Sequence, residues 1–234
     1  MTGGTSRFGG SGSAYGSGLF IQGSSAVTLA PTASGILTVS DVIADQSGSG
    51  GTGTNAGAGS LIIHSDGSGT VSLTATNTYT GGTTAETVVL AIGSDAALGN
   101  DVGSLTLRSA TLQLDANVSL SRAVELAGLG ATIDTGSNAV TLAGPVSGSS
   151  GGLFKVGTGT LTLAGVNTYS GGTTLIDGVL ELASTGASNG GYVFAAGADA
   201  TLRIDAAAAL TIPSISGFAR GEIIDLASLD YVAG

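Results

Sequence analysis

Apolar and polar residues alternate along this chain in short bursts. Successive side chains of a strand point to opposite faces, so alternate apolar positions indicate a strand with one buried side. Ten such pairs are Val71/Leu73, Leu105/Leu107, Leu112/Leu114, Val118/Leu120, Val124/Leu126, Val140/Leu142, Leu161/Leu163, Leu180/Leu182, Leu202/Ile204 and Leu210/Ile212. No segment shows a convincing 3.6-residue period, so the pattern predicts an all-β protein without helices.

The spacing of the bursts limits the architecture. From Leu105 to Val146 they begin about every 6 to 9 residues, which leaves no room for the crossover helix of a βαβ unit. Two architectures accept such strands: an antiparallel sandwich or barrel, and a parallel β-helix with about 20 residues per coil. In the second, we expect a continuous inward stack that includes Leu161, Leu163, Leu180, Leu182, Leu202 and Ile204.

A repeated nine-residue motif favours the β-helix. "TNTYTGGTT" (Thr76 to Thr84) and "VNTYSGGTT" (Val166 to Thr174) differ at two of nine positions. A solenoid stacks equivalent corners in columns, whereas a sandwich has no reason to repeat one corner. We therefore predict a right-handed parallel β-helix of about ten coils, roughly 50 Å long, with Asn77 and Asn167 in one corner column.

The composition of the motif is typical of a tight corner. Sharp corners need residues with positive φ, which glycine adopts freely and asparagine tolerates best among the others. We expect tyrosine to cover the apolar end of the corner while its hydroxyl stays in water. The predicted structural corner residues are Asn77, Tyr79, Gly81, Gly82, Asn167, Tyr169, Gly171 and Gly172.

A second, fainter repeat suggests how the chain is organised. "LTVSDVIADQSG" (Leu37 to Gly48) corresponds to "VTLAGPVSGSSG" (Val140 to Gly151), and only the first copy is followed by extra residues before the next strand. We interpret residues 49–59 as a flexible loop insertion at a corner. The chain is then one β-helix over residues 1–234, with an irregular segment at 1–16 and a terminal coil at 213–234.

One stretch also carries a family resemblance. "GLFKVGTGTLTLAGVNTYSGGTTLIDGVLEL" (Gly152 to Leu182) closely resembles the autotransporter-associated passenger strand repeat of Gram-negative surface proteins. The earlier copy (Ser60 to Leu90) departs from it, because "LIIHSDGSGTVSL" is two residues longer than "LFKVGTGTLTL".

This resemblance implies a right-handed parallel β-helix that is exported through an outer-membrane β-barrel translocator lying outside this chain. The expected role is an internal passenger fragment at the cell surface, acting as a stalk or as an adhesive or self-associating scaffold. The expected partners are that translocator, another copy of the chain, or a host or cell-surface ligand.

Charge and composition exclude several other partners. The chain has a net charge of −10, and its six basic residues are scattered singly, so no basic patch can displace the counterions of a nucleic acid. No apolar run approaches the ~18 residues that a membrane span needs, which argues against direct membrane insertion. The absence of cysteine excludes disulfides and thiolate metal sites.

Short matches to catalytic motifs lack their structural context. Gly48, Gly50 and Gly53 fit a phosphate-binding G-x-G-x-x-G pattern, and Gly148, Ser150 and Gly152 fit a nucleophile G-x-S-x-G pattern. Neither pattern is followed by a predicted helix. The only histidine, His64, lies beside Asp66 in "HSDG", where a solvated side chain is expected. We predict no catalytic, cofactor-binding or metal-binding residues.

The main alternative is a β-helical polysaccharide lyase or hydrolase. Such enzymes need clustered carboxylates, and here Asp225 and Asp230 form the nearest approach to a late cluster. We expect both to face solvent on a terminal strand. Calcium-binding nonapeptide repeats require an aspartate that "GGTGTN" (Gly50 to Asn55) lacks. Ice binding by exposed threonines such as Thr160, Thr162, Thr173 and Thr174 is a third alternative.

Overall fold

The computed structural model describes residues 18–53, 56–183, 190–205 and 213–227. In chain order its strands are β1 (Leu19–Ile21), β2 (Ala26–Leu29), β3 (Ile36–Val39), β4 (Ile43–Asp45), β5 (Ser60–His64), β6 (Thr70–Leu73), β7 (Thr83–Glu86), β8 (Val89–Ile92), β9 (Leu105–Arg108), β10 (Thr111–Leu114), β11 (Val118–Leu120), β12 (Val124–Ala127), β13 (Gly130–Asp134), β14 (Ala139–Leu142), β15 (Val146–Ser147), β16 (Gly152–Val156), β17 (Thr160–Leu163), β18 (Thr173–Leu182), β19 (Tyr192–Ile204), β20 (Ile215–Ser216) and β21 (Ile223–Asp225).

Nineteen of these strands form three faces in which neighbouring strands run parallel, and β1 pairs in parallel with β4 in a separate two-stranded sheet. The first face contains β2, β5, β7, β9, β12 and β15. The second contains β3, β6, β8, β10, β13 and β16, continued by the first part of β18 and of β19 and by β20. The third contains β11, β14 and β17, continued by the second part of β18 and of β19 and by β21.

This topology confirms a parallel β-solenoid and rules out the antiparallel sandwich. The second face holds nine strands, one for each coil, so the structure has about nine coils where the sequence predicted about ten. At ~4.8 Å per rung, nine coils give a ladder of roughly 40 Å. The first face is a sheet of its own, whereas the second and third faces form one sheet because β18 and β19 run from the second face into the third.

The core is a stack of aliphatic residues whose positions repeat from coil to coil. Leu105 pairs with Val124, and Val124 pairs in turn with Val146 on the next strand of the first face. Nine of the ten predicted inward pairs are buried, and Leu210/Ile212 lies outside the described residues. The inward assignment of Leu161, Leu163, Leu180, Leu182, Leu202 and Ile204 is therefore confirmed. No coil can bury its own apolar face without the coils beside it.

The prediction that the two motifs stack in one column is wrong. Thr83 near the end of the first motif lies on the first face, whereas the equivalent Thr173 of the second motif lies on the second face. Pairing along the first face runs from Thr83 through four rungs to Asn167, a distance of 84 residues. The motifs are 90 residues apart, six residues more than four coils. The second motif is therefore shifted by one face of the solenoid relative to the first.

One helical turn interrupts the strands of the third face. Residues Asp95–Leu98 form a 3₁₀ turn, although the sequence predicted no helix. The turn is too short to show a helical period in the sequence. Ala96 O accepts a hydrogen bond from Asn77 N, which places the turn beside the first motif in the adjacent coil.

Candidate functional site

The asparagine of the first motif connects its coil to both neighbouring coils. Asn77 is buried; its Oδ1 accepts a hydrogen bond from Ile43 N at 2.7 Å, and its Nδ2 donates to Ala97 O at 2.6 Å. The expected positive φ is absent from Asn77 and Asn167, since Thr87 and Ser109 are the non-glycine residues with positive φ in the described ranges. Asn77 thus stabilises the corner through its side chain instead of its backbone conformation.

The motif tyrosines are fully buried, so the expectation of hydroxyls in water is wrong. Tyr79 and Tyr169 are both 0% exposed. The Tyr79 hydroxyl lies 2.6 Å from Thr83 Oγ1, and the Tyr169 hydroxyl lies 2.6 Å from Thr173 Oγ1. Because these threonines begin their strands facing inward, each supplies a partner inside the core. Burial raises the pKa of Tyr79 to about 12, while its bond to Thr83 and the charge of Arg122 act to lower it.

The paired glycines of the motif serve two different needs. Gly82 and Gly172 have φ of 85° and 76°, a region that L residues with a Cβ rarely occupy. Gly81 and Gly171 do not have positive φ, contrary to expectation. A Cβ on Gly81 would lie 2.6 Å from Ala58 O, and one on Gly171 would lie 2.5 Å from Gly151 C. These two glycines allow adjacent coils to approach closely.

A buried arginine organises the turn that follows the first motif. Arg122 Nε contacts Asp95 Oδ1 at 2.6 Å, and Nη1 and Nη2 donate to the carbonyl oxygens of Asp95, Leu98, Gly99, Asn100 and Gly103. The side chain is 1% exposed. A guanidinium has five N–H groups in a fixed fork; Nε serves the Asp95 carboxylate, and the four N–H groups of Nη1 and Nη2 serve the five carbonyl oxygens, with one N–H of Nη1 shared between two of them. Sequence reasoning missed Arg122, because a lone arginine between two strands resembles a surface residue.

The only lysine of the chain points into the core. Lys155 lies between Ile133 and Leu175 in the inward register of the second face and is 0% exposed. Its Nζ donates to Val156 O at 3.1 Å, Gly157 O at 2.7 Å and Asp177 O at 3.1 Å. Burial lowers its pKa to about 8, against the opposing effect of the Asp177 and Asp134 carboxylates.

A buried aspartate closes the base of the 47–59 segment. Asp45 is 0% exposed, and its carboxylate accepts hydrogen bonds from Gly48 N, Gly59 N, Thr80 N and Thr80 Oγ1 at 2.5 to 2.8 Å. Gly48 and Gly59 belong to the two ends of the segment, so one carboxylate holds them together. Within this segment, Gly50 and Gly53 have positive φ and open space around them, and the next element is a strand, not the helix of a phosphate site.

The sequence-predicted catalytic candidates do not come together. His64 Nε2 lies 3.2 Å from Asp66 Oδ1, and the two side chains are 42% and 97% exposed. Ser150 is exposed and follows β15, four rungs along the first face from the strand of His64. At ~4.8 Å per rung this separation is roughly 19 Å, so His64 cannot activate Ser150 as a triad base.

The late acidic residues belong to a ladder of ion pairs. Asp225 Oδ2 lies 3.0 Å from Arg203 Nε, and Glu181 Oε2 lies 3.9 Å from Arg203 Nη1 on the other side. Asp230 lies outside the described residues. No group of three or more His, Asp or Glu side chains in the described ranges is arranged to hold a metal ion.

Within the described ranges, no helix is long and apolar enough to cross a membrane.

Comparison with known proteins gives two matches. The family model described as "Passenger-associated-transport-repeat" matches residues 66–87 and 153–182, which contain the two corner motifs. The adhesin BmaC autotransporter of Brucella suis biovar 1 (strain 1330) is 39% identical over 133 residues. That alignment covers 56% of this chain and 4% of the adhesin, so the chain corresponds to a small part of its relative. No solved structure gives a significant match.

Proposed function

We propose that this chain, which carries the passenger-associated-transport repeats of autotransporter proteins, is a rigid, non-enzymatic segment of a passenger displayed on a Gram-negative cell surface. The observation that carries the proposal is the uninterrupted parallel ladder of the second face, nine strands long, into which both repeats are built. Each coil is a template for the next, so the structure can be extended in length without a new core.

Export and display are inferred from the repeats. A separate outer-membrane translocator domain, outside this chain, is the partner that the repeats support. The described part of the chain has the properties of a spacer, because its stability comes from neighbouring coils. The relative's printed name is an adhesin, which supports adhesion to a host or cell-surface ligand, or to another copy, as the role of the exposed faces.

The spacer role can be tested by deletions in the full-length gene. Removing residues 124–145 takes out one complete coil, because Val124 and Val146 pair in register, and joins Ala123 to Val146. We expect this variant to reach the cell surface, as detected by antibody labelling of whole cells. Removing only residues 124–134 shifts the register by half a coil and should abolish display or cause degradation. Equal display of both variants, or loss of both, would contradict the spacer role.

The enzymatic alternative predicts a different result. A β-helical lyase or hydrolase would depolymerise acidic or neutral polysaccharides, and its activity would be lost on substituting the late carboxylate, as in Asp225→Ala. We expect no turnover by the purified chain, measured as reducing ends or unsaturated products. Activity abolished by that substitution would overturn the assignment.

A further inference from the structure

A small cavity opens at the corner between the first and second faces. It measures about 250 Å³ and is lined by Gly67, Ser68, Thr87, Val88, Val89, Ser109 and Thr111. These residues come from three successive coils, since Ser65, Thr87 and Ser109 follow paired positions of β5, β7 and β9. The ladder therefore stacks four side-chain hydroxyls around one opening.

Two of the lining residues have strained backbones. Thr87 and Ser109 have φ of 49° and 50°, a left-handed conformation that is unfavourable for a residue with a Cβ. In the next coil the same corner is occupied by Gly128 with φ of 64°. Glycine adopts this conformation without strain, so the corner retains two hydroxyl side chains where the backbone alone would favour glycine.

Both strained hydroxyls are fixed by bonds to neighbouring coils. Thr87 Oγ1 donates to Ser65 O at 2.7 Å, and Ser109 Oγ accepts from Leu129 N at 3.0 Å. A hydroxyl has one donor and two acceptor positions, so Ser109 keeps its donor and Thr87 keeps acceptor capacity, next to His64 Nδ1 at 3.4 Å. The cavity thus presents a donor and an acceptor in fixed positions.

The remaining lining indicates the chemistry of the ligand. Val89 is half-buried and provides an apolar surface, whereas Val88 is 3% exposed and packs in the core; the seven lining residues carry no charge. An anion would find no cation among them, whereas a sugar offers a C–H face for Val89 and hydroxyls that both donate and accept. Pockets for drug-sized ligands begin near 300 Å³, so this cavity suits a single ring.

We propose that this corner cavity binds one neutral hexose residue of a surface glycan. The proposal rests on the adhesive role proposed above and gives it a ligand class. The hydroxyls of Ser68, Thr111 and Ser109 would bond the sugar hydroxyls, and the exposed carboxylate of Asp66, adjacent to Gly67, would receive a hydroxyl that projects from the mouth.

The test is a titration of the ¹⁵N-labelled chain with D-glucose, D-galactose, D-mannose or N-acetyl-D-glucosamine, followed by amide chemical shifts. At least one sugar should give saturable shifts confined to the amides around Ser68, Val89 and Thr111. The double variant Ser68→Ala/Thr111→Val should weaken that binding at least tenfold. Ser109→Gly should do the same with the fold retained, because the corner accepts glycine at position 128.

The matched control is Thr132→Val, since Thr132 pairs with Thr111 on the adjacent strand but lies outside the cavity; its binding should equal that of the unaltered chain. Absence of saturable shifts with all four sugars would overturn the proposal, as would shifts that persist in the double variant or disappear in the control. Cell adhesion that survives Ser68→Ala/Thr111→Val would reject this cavity as its basis while leaving the surface-display role intact.

Discussion

The buried lysine makes the stability of the solenoid depend on pH in an unusual direction. The pKa of Lys155 falls from its ordinary value of 10.5 to about 8 in the folded chain. One pKa unit corresponds to ~1.4 kcal/mol, so protonated Lys155 lowers the free energy of unfolding by up to ~3 kcal/mol relative to neutral lysine. This is an upper limit, because the ammonium lies near the corner at Gly157 and not at the centre of the core.

The sign follows from proton linkage. Between pH 8 and pH 10.5 the unfolded chain keeps the proton that the folded chain has released, so raising the pH stabilises the fold. The lowering of the unfolding free energy by protonated Lys155 is absent above pH 10.5, grows as the pH falls, and is complete below pH 8. Tyr79 titrates near pH 12, outside this window. Lys155→Met, which fills the same space without a charge, should remove the rise.

Two assays check this reasoning. The first is urea denaturation of the unaltered chain and of Lys155→Met at pH 7 to 10.5. As the pH rises, the unfolding free energy of the unaltered chain should increase by ~2–3 kcal/mol relative to that of Lys155→Met. Lys155 is the only lysine, so ¹³C-lysine labelling gives one side-chain Cε resonance, whose titration midpoint should lie near pH 8. Parallel stability curves, or a midpoint near 10.5, would refute the argument.

Three further predictions concern other buried groups. Leu163→Asp should lower the unfolding free energy by ~3–5 kcal/mol in urea denaturation, because it buries an unpaired carboxylate. The outward-facing control Thr160→Asp should change it by less than ~1 kcal/mol, and equal effects would show that Leu163 is not in the core. Arg122→Met should lower the unfolding free energy by ~3–5 kcal/mol, because it leaves Asp95 without its cation, and should speed hydrogen exchange of amides 95–103. Arg203→Met is the exposed control, and unchanged exchange in Arg122→Met would argue against a role of Arg122 in holding this turn. Tyr169→Phe should cost ~1 kcal/mol, and a double-mutant cycle with Thr173→Val should show coupling, whose absence would contradict the buried hydroxyl pair.

The strands and their inward sides could be predicted because they depend on local alternation. Leu161 and Leu163 alternate with Thr160 and Thr162, and this pattern alone assigns the buried side. The parallel direction followed from strands too closely spaced for crossover helices and from a repeat typical of stacked units. The first inference uses only neighbouring positions, whereas the second also needed the motif that recurs 90 residues later.

The buried polar groups could not be predicted, because their partners come from other coils. Asp45 accepts a hydrogen bond from Thr80, 35 residues away, and Arg122 donates to carbonyl oxygens of residues 19 to 27 positions earlier. Lys155 occupies a position that alternation correctly marks as inward, yet a cation there would ordinarily be read as a break in the pattern. Two of its carbonyl acceptors belong to the neighbouring residues Val156 and Gly157, but the third, Asp177 O, comes from the following coil.

The two copies of the motif show what a sequence repeat means in a solenoid. Each copy makes the same tyrosine–threonine bond at 2.6 Å and has a positive-φ glycine at the same place, Gly82 or Gly172. Yet one copy leads into the first face and the other into the second. The motif therefore encodes one corner of a coil and the strand that follows it. It does not specify which of the three faces that strand joins. Because the three sides meet the same core, such a module can move by one side without loss of packing, and a spacing of 90 residues is compatible with coils that stack every 19 to 22.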